Sequence, residues 1–361
     1  MDQVFAAVLR EAGGPVRVEE IELPAPGPGQ VRVRLAATGV CHSDLSLARG
    51  TLVHDLPVAL GHEGAGVVVS VGDGVSLRGG DPVVFNWSPA CGACWFCARG
   101  EGYLCENAQR GWHRPHARLA DGIPLYPGLG VGAFATETVV DADACVALPD
   151  DVDLADAALL GCAVLTGVGA VRHAARVGQG DSVVVIGLGG VGLSAVQGAR
   201  LAGAAPIIAV DPVAEKADLA RELGATDVLA PGPGLAKQVR ALTGGRGADH
   251  AIECVGRAET IRAAWSVTRR GGRATVVGLG PATDTLSLNA LEIGLTARTL
   301  AGCMYGSSDP TADIPALIAD ARAGRLRLRD MVTRSIRLDE VGEALASLDL
   351  GRDGRALVVF A

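Results

Sequence analysis

The stretch Ser182-Val-Val-Val-Ile186-Gly187-Leu188-Gly189-Gly190-Val191-Gly192 runs an unbroken apolar segment into a glycine-rich turn, and a helical pattern follows over residues 191–202. A strand that is apolar without alternation is buried on both faces, as in a parallel sheet covered by helices. G-x-G-x-x-G alone is a weak signal, but strand before and helix after are the context it requires. Gly187 allows the tight turn, and Gly189 lets backbone approach a pyrophosphate. Gly192 lets helix and strand pack closely. The helix start offers free N–H groups and a positive dipole end to phosphates. The next apolar run, 206–210, ends at Asp211. A carboxylate there accepts hydrogen bonds from adenosine ribose hydroxyls and repels a 2′-phosphate, which favours NAD over NADP. The competing reading is a glycine-rich turn in a flavodoxin-like sheet with an incidental Asp.

Outward from this turn, helices are expected over 214–223 and 258–267, and strands over 248–254 and 273–277. Alternation of this kind means a doubly wound α/β sheet. Upstream, 154–175 reads as two helical segments broken at Gly161 and Gly167. Residues 1–150 read as β-rich, with strand patterns at 31–35, 66–71 and 81–85. The tail offers helices over 314–323 and 338–348, then a strand over 356–360. A terminal strand needs a sheet, and the first domain could recruit it.

The 361 residues suffice for two cores. Half of them are apolar, and 50 are glycine. The net charge of −8 with no basic block argues against a nucleic-acid partner. The N-terminus lacks a basic start and a long apolar stretch, so it does not read as a signal peptide. No apolar run approaches the ~20 residues that span a bilayer. A cytoplasmic protein is expected, in which disulfides are improbable.

Four of the nine cysteines, Cys91, Cys94, Cys97 and Cys105, follow the pattern C-x2-C-x2-C-x7-C. Four thiolates on one short loop supply a closed tetrahedral site. A second set, Cys41 and His62, comes from separate segments. A catalytic zinc takes three protein donors and keeps one position open, and Cys162 is the candidate third. Each has a plainer reading: His62 as a satisfied core histidine, Cys162 as packing. Cys145, Cys254 and Cys303 read as small buried hydrophobes.

These motifs resemble the zinc-dependent alcohol dehydrogenases of the medium-chain dehydrogenase/reductase superfamily. Gly61-His62-Glu63-Gly-Ala-Gly66, continuing to Gly72 and Val75, is similar to that family's zinc signature. The four-cysteine loop resembles its structural zinc lobe, and the glycine turn with Asp211 its NAD fingerprint. Asn86-Trp87, 130–134 and 159–162 look more like the branch of thiol-dependent formaldehyde dehydrogenases. The resemblance implies a GroES-like β-rich catalytic domain, 1–163 and 305–361, with a zinc lobe at 88–107. A Rossmann NAD-binding domain would span 164–304.

The resemblance further implies two zinc ions per chain. Cys41, His62 and Cys162 would hold the catalytic one, and the four-cysteine loop the structural one. Asp44 would orient the His62 ring. Glu63 would lie behind the metal as an alternate ligand, and Ser43 would contact the substrate hydroxyl. Thr166 and Val191 would touch the nicotinamide, Lys216 the adenosine ribose, and His42 and Arg355 the pyrophosphate. Val277 and Leu279 would lie along the nicotinamide ribose and carboxamide. Trp87, Leu52, Trp112 and Tyr305 would line an apolar pocket or belong to the core.

Two positions depart from the family pattern. Ser46 stands where many relatives carry a relay histidine. Gln109 stands where glutathione-dependent members place an arginine, with Arg110 next to it. The expected activity is hydride transfer between a primary or secondary alcohol, or an aldehyde, and NAD. Oxidation of a thiol–formaldehyde adduct or reduction of a nitrosothiol is the close rival. A non-catalytic zinc- and nucleotide-binding sensor is the remote one. A homodimer or homotetramer built through the nucleotide sheet is expected, with 295–300 read as strand-rich.

Overall fold

A computed structural model describes residues 3–349 and 355–360. The chain divides into two compact units. One comprises Met1–Cys162, Asp309–Asp320 and Val332–Ala361, the other Ala163–Ser308 and Ala321–Met331. The first boundary adjoins the expected one at 163. The expected catalytic tail 305–361 is shared, with residues 305–308 and Ala321–Met331 grouped in the second unit.

The first unit is β-rich, with a GroES-like arrangement. Strands Val4–Leu9, Val16–Glu22, Ala117–Leu119, Pro124–Pro127 and Val58–Ala59 close a small barrel. A seven-stranded sheet is built around Gln30–Gly39, which pairs antiparallel with Glu63–Val71, Glu137–Asp141 and the terminal strand Arg355–Val359. The alternation of Val31, Val33 and Leu35 comes from this pairing: those side chains turn inward onto Val68, Val83 and Phe85. The strand at the chain's end thus joins the first unit's sheet, next to residues 37–39.

The second unit holds a six-stranded parallel sheet. Its spatial order is Asp227–Leu229, Ile207–Val210, Val183–Ile186, Ala248–Glu253, Thr268–Val276, Thr299–Gly302. Numbered along the chain, this is the order 3-2-1-4-5-6 of a Rossmann fold. Val184, Ile186, Ile208 and Val210 are buried among apolar residues of the covering helices, which is why these strands are continuous apolar runs. The strand order reverses beside Val183–Ile186, where the glycine turn emerges.

Three local expectations are corrected. Gly167 does not break a helix: it lies inside Ala163–Gly169, and a Cβ there would sit 2.3 Å from the Val191 carbonyl oxygen. It is a close-packing position against the helix Gly190–Leu201. The break falls at Cys162, whose φ/ψ of −144°/−76° is not helical. In 295–300, only Thr299 onward is strand, because Leu295 closes the last turn of the helix Ala290–Thr296. The strand Asp227–Leu229 and helix Leu235–Leu242 escape the sequence reading because they are short and weakly apolar.

Candidate functional site

In the first unit, Cys41 is the N-cap of the helix His42–Ala48. Three residues on, Asp44 turns back. Its Oδ2 accepts the Cys41 backbone N–H at 3.2 Å, and its Oδ1 accepts the Gly61 N–H at 3.0 Å. The same Oδ1 lies 3.1 Å from His62 Nδ1. Asp44 and His62 are both fully buried. One carboxylate therefore ties together the two segments that carry Cys41 and His62. Gly61 holds φ +94°, and a Cβ there would be 2.3 Å from the Phe134 nitrogen, so only glycine fits ahead of the histidine.

Cys162 completes a triangle. The Sγ atoms of Cys41 and Cys162 and a ring nitrogen of His62 lie within 4.8 Å of one another, all buried. Nδ1 faces Asp44, so Nε2 is the ring nitrogen that would offer a lone pair to a metal in exchange for its proton; it is buried with no oxygen or nitrogen partner among the described residues. The Trp87 ring stands edge-on to the imidazole, with centroids 6.2 Å apart. Burial alone would lower the His62 pKa. The charge and hydrogen bond of Asp44, then contact with Cys41, raise it to about 10. Between the two thiols, Cys41 is held well below the usual range, first by a hydrogen bond from Cys162 and then by His62. Cys162 is pushed well above it, first by Cys41 and then by burial. Two thiols and one imidazole facing a shared point form a soft donor set suited to zinc.

Ser43 Oγ lies 3.9 Å from Cys41 Sγ. Glu63 is fully buried and ion-paired with Arg355, itself 5% exposed. Arg355 lies within the first unit, with Cys41 near enough to influence its charge. His42 is exposed. Trp87 and Trp112 line a pocket with Asn86, Arg110 and Leu129. Leu52 packs against the same core as Trp112, and Tyr305 is buried in the second unit.

The four-cysteine lobe converges as its spacing requires, with all four sulfurs within 4.8 Å. All nine cysteines are free thiols. Sulfurs of a tetrahedral zinc site stand about 3.8 Å apart, given metal–sulfur bonds of about 2.3 Å. Here Cys94 Sγ is 3.5 Å from Cys97 Sγ and 3.9 Å from Cys105 Sγ. Backbone N–H groups of Cys91 and Asn107 donate to Cys105 Sγ at 3.2 and 3.3 Å, and Asn107 Nδ2 donates to Cys91 Sγ at 3.4 Å. That amide, followed by backbone donors, lowers the Cys91 pKa to about 6. At Cys91 these donors favour thiolate, the form a metal binds.

In the second unit, each glycine of the turn has a distinct environment. Gly187 sits at φ +90°. A Cβ on Gly192 would fall 1.7 Å from the Gly187 carbonyl oxygen, so helix and strand touch there. A Cβ on Gly189 would meet nothing within 4 Å, leaving that face open for a phosphate. Asp211 Oδ2 accepts the Leu188 N–H at 2.7 Å, and Oδ1 accepts the Val213 N–H at 2.9 Å. Lys216 Nζ stands 3.6 Å from Asp211. Gly190 and Val191 begin the helix Gly190–Leu201. Thr166 and Val277 are buried, and Leu279 is largely exposed.

Soft-donor metal sites and a dinucleotide turn in one chain are the make-up of a zinc-assisted, nucleotide-dependent oxidoreductase. Residues 27–150 match the alcohol dehydrogenase GroES-like domain, and residues 190–321 match the zinc-binding dehydrogenase family. The chain is 38% identical to an NDMA-dependent alcohol dehydrogenase of Amycolatopsis methanolica, over 98% of each protein. It is 37% identical to an S-(hydroxymethyl)glutathione dehydrogenase of Photobacterium damsela subsp. piscicida, over 98% of this chain and 97% of the relative. Among solved structures, an alcohol dehydrogenase zinc-binding domain protein from Burkholderia ambifaria superposes with a TM-score of 0.94. It is 33% identical, with 100% of this chain and 99% of that one covered. The chain belongs to the zinc-binding alcohol dehydrogenases of the medium-chain dehydrogenase/reductase superfamily.

Proposed function

We propose that this chain transfers hydride between a primary or secondary alcohol, or an aldehyde, and NAD. Cys41, His62 and Cys162 would hold a catalytic zinc, and Cys91, Cys94, Cys97 and Cys105 a structural one. The observation that carries the reading is the buried His62 Nε2, with no oxygen or nitrogen partner, among two buried thiols. A buried polar atom without a partner costs stability unless something binds it.

When bound, zinc supplies Lewis acidity, which acidifies an alcohol and polarises a carbonyl. The chain's own residues do the rest. Asp44 fixes the tautomer and orientation of His62. Ser43, beside Cys41, is placed to take the hydroxyl proton. With Ser46 in place of a relay histidine, the chain supplies no imidazole at that position to carry the proton to solvent. Trp87 walls the site with apolar surface, which suits an uncharged substrate. On the nucleotide unit, the open face at Gly189 suits a pyrophosphate, and Asp211 with Lys216 suits the adenosine ribose. Val191, Thr166, Val277 and Leu279 are the nicotinamide-side residues on this reading.

A thiol–formaldehyde adduct or nitrosothiol is the second reading, favoured by the relative that acts on S-(hydroxymethyl)glutathione. Arg110 lines the pocket that would meet such an adduct, but it is paired with Asp143. A carboxylate tail would have to displace that partner, so the simple alcohol is the better fit. No single helix among the described residues is long and apolar enough to cross a membrane. By family, we infer a cytoplasmic enzyme. The edge strand Thr299–Gly302 and exposed Leu291, Ile293 and Leu295 suit a homodimer or homotetramer.

The test is a panel of alcohols and aldehydes with NAD, run with and without low-molecular-weight thiols, together with zinc analysis. Thiol-independent alcohol oxidation and two zinc ions per chain support the proposal. Formaldehyde turnover that needs a thiol, with simple alcohols inert, would establish the adduct reading instead. One zinc and no turnover would return the chain to a binding role.

A further inference from the structure

Glu253 ends the strand Ala248–Glu253 at the same sheet edge as the glycine turn, and its side chain is fully buried. No cation pairs with it among the described residues. All its partners are donors. Oε1 accepts the Val255 and Gly256 N–H groups at 2.9 Å each and the Thr260 hydroxyl at 2.7 Å. Oε2 accepts the Gly256 N–H at 3.1 Å. Burial nevertheless pushes the carboxyl above its ordinary range, against these hydrogen bonds. The ionised group therefore costs stability where it stands, which directs attention to what it holds.

It holds the loop 254–256, and that loop is wedged between two others. A Cβ on Gly187 would lie 2.6 Å from Val255 Cγ2. A Cβ on Gly278 would lie 2.1 Å from the Gly256 nitrogen, and one on Gly280 would lie 1.8 Å from the Gly256 oxygen. The Val277 N–H donates to the Glu253 carbonyl at 2.8 Å. Thus one buried carboxylate sets the turn that the glycine loop and the segment 277–280 both lean on. These three loops leave adjacent parallel strands at the carboxyl edge, where open α/β sheets take their ligands.

We propose that Glu253 is a positioning residue for the dinucleotide: its hydrogen bonds to Val255, Gly256 and Thr260 hold the loop that sets the glycine turn and the segment 277–280 at their binding spacing. The proposal rests on the reading that this unit binds NAD.

The experiment is NADH titration by fluorescence on wild-type, Glu253→Ala, Glu253→Gln and Thr260→Val proteins, with melting temperature and zinc content measured alongside. Glu253→Ala should weaken NADH binding tenfold or more and raise the KM for NAD, with the alcohol KM and the zinc content unchanged. Glu253→Gln retains an acceptor for the three Oε1 donors and should rescue most of the affinity. Binding by Glu253→Ala within twofold of wild type would overturn the proposal. Equal losses in the Ala and Gln variants would also overturn it, because charge rather than positioning would then be at work. Should the Ala variant fail to fold, Thr260→Val decides: a threefold or greater loss supports the role, and unchanged affinity removes it. A wild-type protein that binds no NADH would instead sink the cofactor reading itself.

Discussion

Asp44 Oδ1 lies 3.1 Å from His62 Nδ1 and also accepts the Gly61 N–H, while its Oδ2 accepts the backbone N–H of Cys41. A single buried side chain thus fixes an imidazole and the thiol-bearing residue across from it. Asp44→Asn would keep the shape but turn an NH2 toward one of these donors and remove the charge. Outer partners of this kind typically contribute about 10–100-fold in metal affinity. We expect the variant to yield zinc to a chelator that much more readily, with kcat/KM falling in step. Competition against a chromogenic chelator measures it, and wild-type retention would refute the orienting role.

Gly189 and Gly192 should respond in opposite ways to the same change. A Cβ at 192 collides with the Gly187 carbonyl, whereas a Cβ at 189 meets no protein atom. Gly192→Ala should cost about 3 kcal/mol of stability through overpacking. Gly189→Ala should melt like wild type yet lose NADH binding, because the methyl group occupies the phosphate's approach. Thermal melts and NADH titration separate the two, and normal NADH binding by Gly189→Ala would refute the pyrophosphate assignment.

Asp211 has two duties, since it receives the Leu188 and Val213 N–H groups and faces Lys216. Asp211→Ser removes the charge that repels a 2′-phosphate and loosens the turn at Leu188. NAD affinity should fall about tenfold, and the NAD-to-NADP preference should shrink by more than that. Steady-state comparison of the two cofactors is the measurement, and an unchanged preference would count against this role.

His116 is a buried neutral imidazole in the small barrel, with Nδ1 against the Leu125 carbonyl. Burial first, opposed by that hydrogen bond, lowers its pKa to about 4. The folded value lies below the unfolded one near 6.5, so the unfolded chain takes up the proton first. Its contribution is complete above pH 6.5 and is lost as pH falls toward 4, amounting to about 3 kcal/mol. His116→Gln should flatten that part of the stability profile. Denaturant melts between pH 7 and 4 test it, and an identical acid slope in the variant would refute it.

Much of the site was legible because its signals are local. The four-cysteine lobe sits within fifteen residues, so spacing alone predicts that the sulfurs can meet, as they do. Gly187, Gly189 and Gly192 lie between one strand and one helix, and their roles follow from that short path. Glu253 went unread because one acid after an apolar strand resembles any strand end; the following Gly256 was the available signal. Gly167 was misread as a break because a glycine in a helix pattern signals flexibility or close packing equally well.

The sequence by itself determined the parallel-sheet unit, the lobe and the nucleotide turn, because hydrophobic periodicity and short-range spacing are properties of neighbouring residues. Only the tertiary structure decided that Cys162 meets Cys41 and His62, that Asp44 bridges their segments, and that Arg355 pairs with Glu63. Those contacts depend on strand pairing between segments far apart in the chain, such as Leu357 against Gly39. Periodicity tells which face a residue occupies; register and packing decide which distant partner it finds there.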